Sequence, residues 1–183
     1  MGLDQTLVKV RDTNLEKFYA LKGTAIIAPE NPALDQDYIN NTAKKCKELE
    51  DLYAQALSDN DPDAEVYKKR TDDLLAPYAE PIIWNGRKEN HIHDWVCANA
   101  DLEDTNLDYV LIDPEKLLSD LKAVLDDHER APEILPTRSG FFFGGTEYGE
   151  YYFDTIERLY NTLLTEKNQG YFEDHSYFYW CWW

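Results

Sequence analysis

Apolar and polar positions alternate in LDQTLVKV, residues 3–10, which is the two-residue period of a half-buried strand. TAIIA, residues 24–28, reads as a short second strand. The period then changes: Leu49, Leu52, Tyr53 and Ala56 recur at helical spacing until the acidic stretch SDNDPDAE stops them. A second helix is expected from about Ala64 to Leu75, halting before Pro77, so that residues 35–76 form a helical hairpin. PIIWNG predicts a strand running into a turn, KENHIHDWVCAN a short helix and LDYVLI, residues 107–112, another strand. Asp113 before Pro114 is an N-cap with proline at the first helical position, and Leu117, Leu118, Leu121, Val124 and Leu125 give that helix its inward stripe.

After the loop RAPEILPTRSG, FFFGG reads as a buried strand ending in glycines. The spacing of Asp154 and Glu157 starts a last helix, with Ile156, Leu159, Tyr160, Leu163 and Leu164 inside and its end near Gly170. YFYWCWW, residues 177–183, is a closing strand. Its two faces are both aromatic, so at least one has to be covered, by the core, by a second copy of the chain or another partner, or by a stacked ligand. Strands and helices mix without strict alternation, which predicts an α+β fold. The expectation is one domain over residues 1–183, a small mixed or antiparallel sheet packed with about four to five helices.

Composition changes this picture little and charge changes it more. The 183 residues are 43% hydrophobic and 14% aromatic, enough for a packed core. With 36 acids against 18 Lys and Arg, the net charge is −18, a field that repels nucleic acid and anionic membranes and attracts basic surfaces. Eleven acids fall between Asp101 and Glu133, facing only Lys116, Lys122 and Arg130. Three cysteines without CxxC spacing, and no signal-peptide or membrane-span pattern, point to a reducing cytoplasm.

Two segments carry candidate chemistry, WNGRKENHIHDW at 84–95 and GFFFGGTEYGEYYFD at 140–154. With the opening MGLD, they resemble a family of small uncharacterised proteins of bacteriophages and prophage-bearing bacteria. That family carries Trp-Arg-Lys-x-Asn-x-Ile-His-x-Trp and Gly-Phe-Phe-Phe-Gly-Ser-Thr-x-Tyr patterns. Here Asn85 and Gly86 separate Trp84 from Arg87, and Gly145 stands where the family has serine, which removes a hydroxyl. The resemblance implies a setting in phage biology, in the host bacterial cytoplasm, and brings no established activity. No GxxxxGK[ST] phosphate loop occurs in the chain.

Arg87, Lys88, Asn90, His93 and Trp95 offer donors and a stacking face in an otherwise acidic protein, and Tyr148 and Glu150 would join them if the two segments meet. Such a pocket suits a nucleotide-like small molecule. The plain alternative is a set of core caps and surface ion pairs. His91 and His93 lie two residues apart, so on a helix they point about 200° apart and do not share a metal ion; no metal and no cofactor are expected. A second surface is the acidic helix face of Glu115, Asp120, Asp126, Asp127 and Glu129, which is either simply solvated or a partner site.

Two functions follow as expectations. The first is a non-catalytic phage-type accessory protein that binds and inhibits a host protein with a basic surface through the acidic face, with no direct nucleic-acid or membrane contact and a homodimer contact through the C-terminal aromatics. The second is a nucleotide-like small-molecule binder or enzyme using the two motifs. A pocket where the motifs meet favours the second; a convex acidic face without one favours the first.

Overall fold

In the computed structural model, residues 2–22, 25–29, 31–59, 61–62, 64–75 and 81–183 are described, with side chains excluded for 71–75. They fall into two compact units. The smaller comprises residues 13–24 and 30–80; the larger comprises 1–12, 25–29 and 81–183 and holds the sheet.

The smaller unit is the helical hairpin read from the sequence, preceded by a further short helix. Helix α1 spans Leu15–Lys22, α2 Gln36–Ser58 and α3 Ala64–Leu75. Asp35 caps α2 by accepting from the Tyr38 N–H at 2.9 Å, and Glu16 of α1 accepts from the Asp35 N–H at 2.7 Å. Capping satisfies donors that a helix start leaves without an internal partner.

The larger unit is built on a five-stranded mixed sheet: β1 (Asp4–Arg11), β2 (Ile26–Ile27), β3 (Ile82–Arg87), β4 (Tyr109–Ile112) and β5 (His175–Trp182), in the spatial order β2-β4-β5-β1-β3. Only β2 and β4 pair in parallel. The aromatic segment is the middle strand, flanked antiparallel by β4 and β1 in a register that places Leu7 opposite Tyr179. That answers why both faces of YFYWCWW are apolar: Tyr177, Tyr179 and Cys181 lie in the main core, Phe178 is buried on the other face, and Trp182 alone is 46% exposed. The surface available for the expected homodimer contact is correspondingly small.

Four helices accompany the sheet: α4 (Asn90–Asn99), α5 (Pro114–Asp126), the single turn α6 (Ala131–Ile134) and α7 (Glu150–Asn168). Asp113 caps α5 as its sequence requires, accepting from the Lys116 N–H at 3.1 Å, and Leu117, Leu118, Leu121 and Val124 are buried. The architecture is α+β, with seven helices among the described residues. The two beyond the expected range are α1 and α6, each shorter than the stretch over which helical periodicity is read. No helix among the described residues is long and apolar enough to cross a membrane.

FFFGG is not a strand. Residues 141–143 form a turn in which Phe141 is 95% exposed and Phe143 is buried, closed by the Phe143 N–H donating to the Gly140 carbonyl. The last helix likewise starts four residues before the Asp154 cap position, with Gly149 as its cap. Asp154 sits on the exposed side of the second turn, so its resemblance to a capping position is coincidental.

Candidate functional site

Strand β3 ends at Arg87, and the chain turns into α4 through Lys88, whose backbone is left-handed at φ 63°. A non-glycine residue there is strained and persists only where its surroundings fix it. Two contacts do so: the Lys88 N–H donates to the Leu3 carbonyl at 2.7 Å, and Gly144, at φ 90°, lies so close that a Cβ would stand 3.0 Å from the Lys88 Cβ. Glycine is therefore needed at 144 both for its backbone angle and for this approach.

Asn90, at the start of α4, fastens the glycine loop. Its Nδ2 donates to the carbonyls of Phe143 at 2.9 Å and Gly145 at 2.8 Å, and its Oδ1 accepts from the Arg138 N–H at 2.8 Å. The two sequence motifs thus meet, and between them lies a pocket of about 300 Å³ lined by Lys88, Asn90, His91, Thr137, the glycines 144, 145 and 149, Glu147, Glu150, Tyr151 and Tyr152.

The first turns of both α4 and α7 line this pocket, and neither has a side-chain cap. Uncapped first turns present backbone N–H groups and the positive end of the helix dipole. Lys88 forms no ion pair among the described residues, so its charge adds to theirs, against the carboxylates of Glu147 and of Glu150, the latter in the first turn of α7 itself. His91 is buried at the wall, tilted against the Tyr152 ring with centroids 4.4 Å apart, and burial pushes its pKa down to about 3.

A second, polar groove adjoins, lined by Asp4, Gln5, Thr6, Asn85, Gly86, Arg87, Glu89, Tyr151 and Arg158. Alternation through the ridge 87–90 sends Arg87 and Glu89 to the groove and Lys88 and Asn90 to the pocket, while Tyr151 lines both. Glu89 is fully buried, with one oxygen on the Arg158 guanidinium and the other unpartnered; burial raises its carboxyl to about 7 against the pull of Arg158. Trp84 keeps a buried place, its ring lying over Gly86, where a Cβ would clash at 2.3 Å.

Of the expected ligand residues, Lys88, Asn90 and Glu150 line the pocket. Tyr148 stands behind it, edge-on to Tyr152 and accepting from the Thr137 N–H at 3.2 Å. Arg87 faces the groove beside Asp4 at 3.6 Å. His93 and Trp95 are core residues. His93 bridges the Tyr179 hydroxyl at 3.0 Å and Asp104 at 2.8 Å, and the Trp95 indole donates to Asp120 at 2.8 Å. Glu147, Tyr151 and Tyr152, from the GFFFGGTEYGEYYFD segment expected to lie against a ligand, also line the pocket, whereas Asp154 does not; His91, weighed only as a metal ligand, and Thr137, from the loop between α6 and α7, are additions that the motifs do not announce.

His91 and His93 diverge, as their spacing requires. One grouping with metal-ligand chemistry exists among the described residues, His93, Cys97 and Asp104 within 4.8 Å of one another. The His93–Cys97 spacing of four places both on one helix face, a signal that weighing His91 against His93 overlooked. Arg138 also bonds Asp104, at 3.4 Å, and burial raises the Cys97 thiol to about 11.

The acidic face is heavily engaged within the chain. Glu115 pairs with Lys167 at 2.6 Å, Asp120 with Lys116 at 2.8 Å and Asp126 with Lys122 at 2.5 Å. Asp127 caps the 3-10 turn at 128–130 by accepting from the Glu129 N–H at 3.2 Å. Glu129 is exposed. Comparison with protein-family models, curated proteins and solved structures finds no match for this chain.

Proposed function

We propose that the protein binds a small anionic, nucleotide-like molecule in the pocket between residues 88–91 and 144–152, acting in the bacterial cytoplasm. The observation that carries this reading is the meeting, in one cavity of about 300 Å³, of an ion-pair-free lysine with the uncapped first turns of two helices. Helix N-termini and a lysine are a general phosphate-binding combination. The volume lies at the lower end of small-molecule sites, about 300–1,000 Å³. Tyr151 and Tyr152 contribute aromatic surface to the lining.

Binding rather than turnover is the reading, since the lining includes, among the described residues, no serine or cysteine to act as a nucleophile and its one imidazole is buried. In a phage setting this amounts to sequestering a host nucleotide. Calorimetric titration of the intact protein with AMP, IMP, CMP and UMP at low salt tests it. A dissociation constant below about 1 mM for any of them, with competition by inorganic phosphate, supports the reading. No heat and no thermal shift with all four retires it.

A second reading, inhibition of a host protein with a basic surface, is favoured by the net charge of −18 and by Asp127 and Glu129, which have no cation partner among the described residues. It requires salt-sensitive capture of a stoichiometric partner that Asp127→Asn with Glu129→Gln weakens. Unchanged capture by that double variant argues against it.

A further inference from the structure

The pocket's hydrogen-bonding groups are sharply divided by what they have left to offer. Nearly every side-chain donor at the wall is already spent. Asn90 gives both amide protons to Phe143 and Gly145, the Thr137 hydroxyl donates to the Thr146 carbonyl at 3.0 Å, the Tyr151 hydroxyl donates to the Arg87 carbonyl at 3.0 Å, and that of Tyr152 donates to the Leu135 carbonyl at 2.7 Å. Apart from Lys88, the wall has no free side-chain donor among the described residues; what remains are backbone N–H groups of the first helical turns and of the glycine loop, which suit an anion.

Its acceptors, in contrast, are open. Glu147 and Glu150 line the pocket with no cation or hydrogen-bond partner on their carboxylates among the described residues. His91, 3% exposed, adds a third acceptor. The Thr155 hydroxyl lies 2.8 Å from the Tyr152 carbonyl and 3.2 Å from His91 Nε2; assigning its single proton to the shorter contact makes the imidazole the donor at the longer one. The lone pair then sits on Nδ1, which has no partner among the described residues.

The geometry points to a site that selects amino-bearing over keto-bearing nucleobases, with His91 Nδ1 and the carboxylates of Glu147 and Glu150 accepting from the exocyclic amine while Lys88 and the helix N-termini hold the phosphate. This rests on the nucleotide reading above and adds which bases fit. An exocyclic amine of adenine or cytosine satisfies three side chains that can only accept; the keto oxygen of hypoxanthine or uracil set against them would face lone pairs and negative charge, leaving polar groups on both sides unpaired. Burial keeps His91 neutral at physiological pH, so its acceptor role persists there.

The test is calorimetry of the intact protein with two matched pairs, AMP against IMP and CMP against UMP. In the pair that binds more tightly, the amino compound is expected to bind about tenfold tighter or more. His91→Phe keeps the ring and removes the acceptor; Glu150→Gln leaves an exposed position folded and converts a pure acceptor into a donor as well. Each should narrow the preference. Equal or tighter binding of the keto compounds overturns the inference and leaves the nucleotide reading standing, as does a preference that both variants leave unchanged. Failure of all four nucleotides to bind removes the reading and the inference together.

Discussion

Asn90 donates to the carbonyl of Gly145 at 2.8 Å, joining two segments 55 residues apart. With its bonds to the Phe143 carbonyl and the Arg138 N–H, this one amide holds the loop that forms half of the pocket. Asn90→Ala should therefore lower stability by about 2–3 kcal/mol, because buried backbone groups lose their partners. Asn90→Asp should be at least as damaging, since a carboxylate accepts from Arg138 but has nothing to donate to two carbonyls. Urea unfolding measures both; a loss under about 0.5 kcal/mol for either would mean that the loop is held by other contacts.

Lys88 contributes charge to the pocket, and its stem packs beside Gly144. Lys88→Met keeps that stem and removes the charge. Nucleotide affinity should fall by about tenfold at low salt, with the melting temperature almost unchanged and the salt dependence of binding flattened. Titration at two ionic strengths checks this, and an unchanged affinity would place the anion elsewhere.

Much of this fold is legible in the chain. The Asp113-Pro114 start of α5 and the inward leucines that follow it are local instructions, and the structure carries them out. The turn at Phe141–Phe143 is not legible in the same way: an aromatic triplet has strand propensity, but only Phe143 finds a buried seat, and the Leu3 N–H donating to the Phe142 carbonyl fixes the turn from the far end of the sequence. The site divides along the same line. Lys88 and Asn90 were recognisable from one contiguous motif. His93 and Trp95 belong to that motif too, but helical geometry turns them into the core, towards Tyr179 and Asp120. The partners that complete the pocket, Thr137 and Glu147, arrive through tertiary contacts that no periodicity encodes.

Lys9 and Glu166 form a buried ion pair at 2.7 Å, with the Tyr177 hydroxyl donating to the same carboxylate at 3.0 Å and the lysine standing 3.4 Å over the Tyr171 ring. Removing one partner strands the other in the core. Lys9→Met alone should cost about 3 kcal/mol, whereas Lys9→Met with Glu166→Gln should cost less than the single change, because no unpaired charge remains. A double-mutant cycle by chemical unfolding decides it; additive losses would show that the pair is not coupled.

Glu89 gives the protein a pH dependence of definite sign. Its folded pKa, about 7, lies above the unfolded value of 4.5 because burial disfavours the charged carboxylate more than Arg158 favours it. Between those values the folded state holds a proton that the unfolded state has released. The resulting stability is full below pH 4.5 and is lost as pH rises towards and through 7. His91, depressed to about 3, acts in the opposite direction on acidification, so the informative quantity is the difference between wild type and Glu89→Gln at each pH. The variant cannot ionise. It should match wild type near pH 4.5 and become more stable than it by up to about 3 kcal/mol at pH 8, since each tenfold difference in proton affinity between the folded and unfolded states is worth about 1.4 kcal/mol. Thermal or urea unfolding across that range gives the curve. A difference that stays flat from pH 4.5 to 8 would mean that Glu89 titrates alike in both states, and its orphaned oxygen would then have to be reached by solvent.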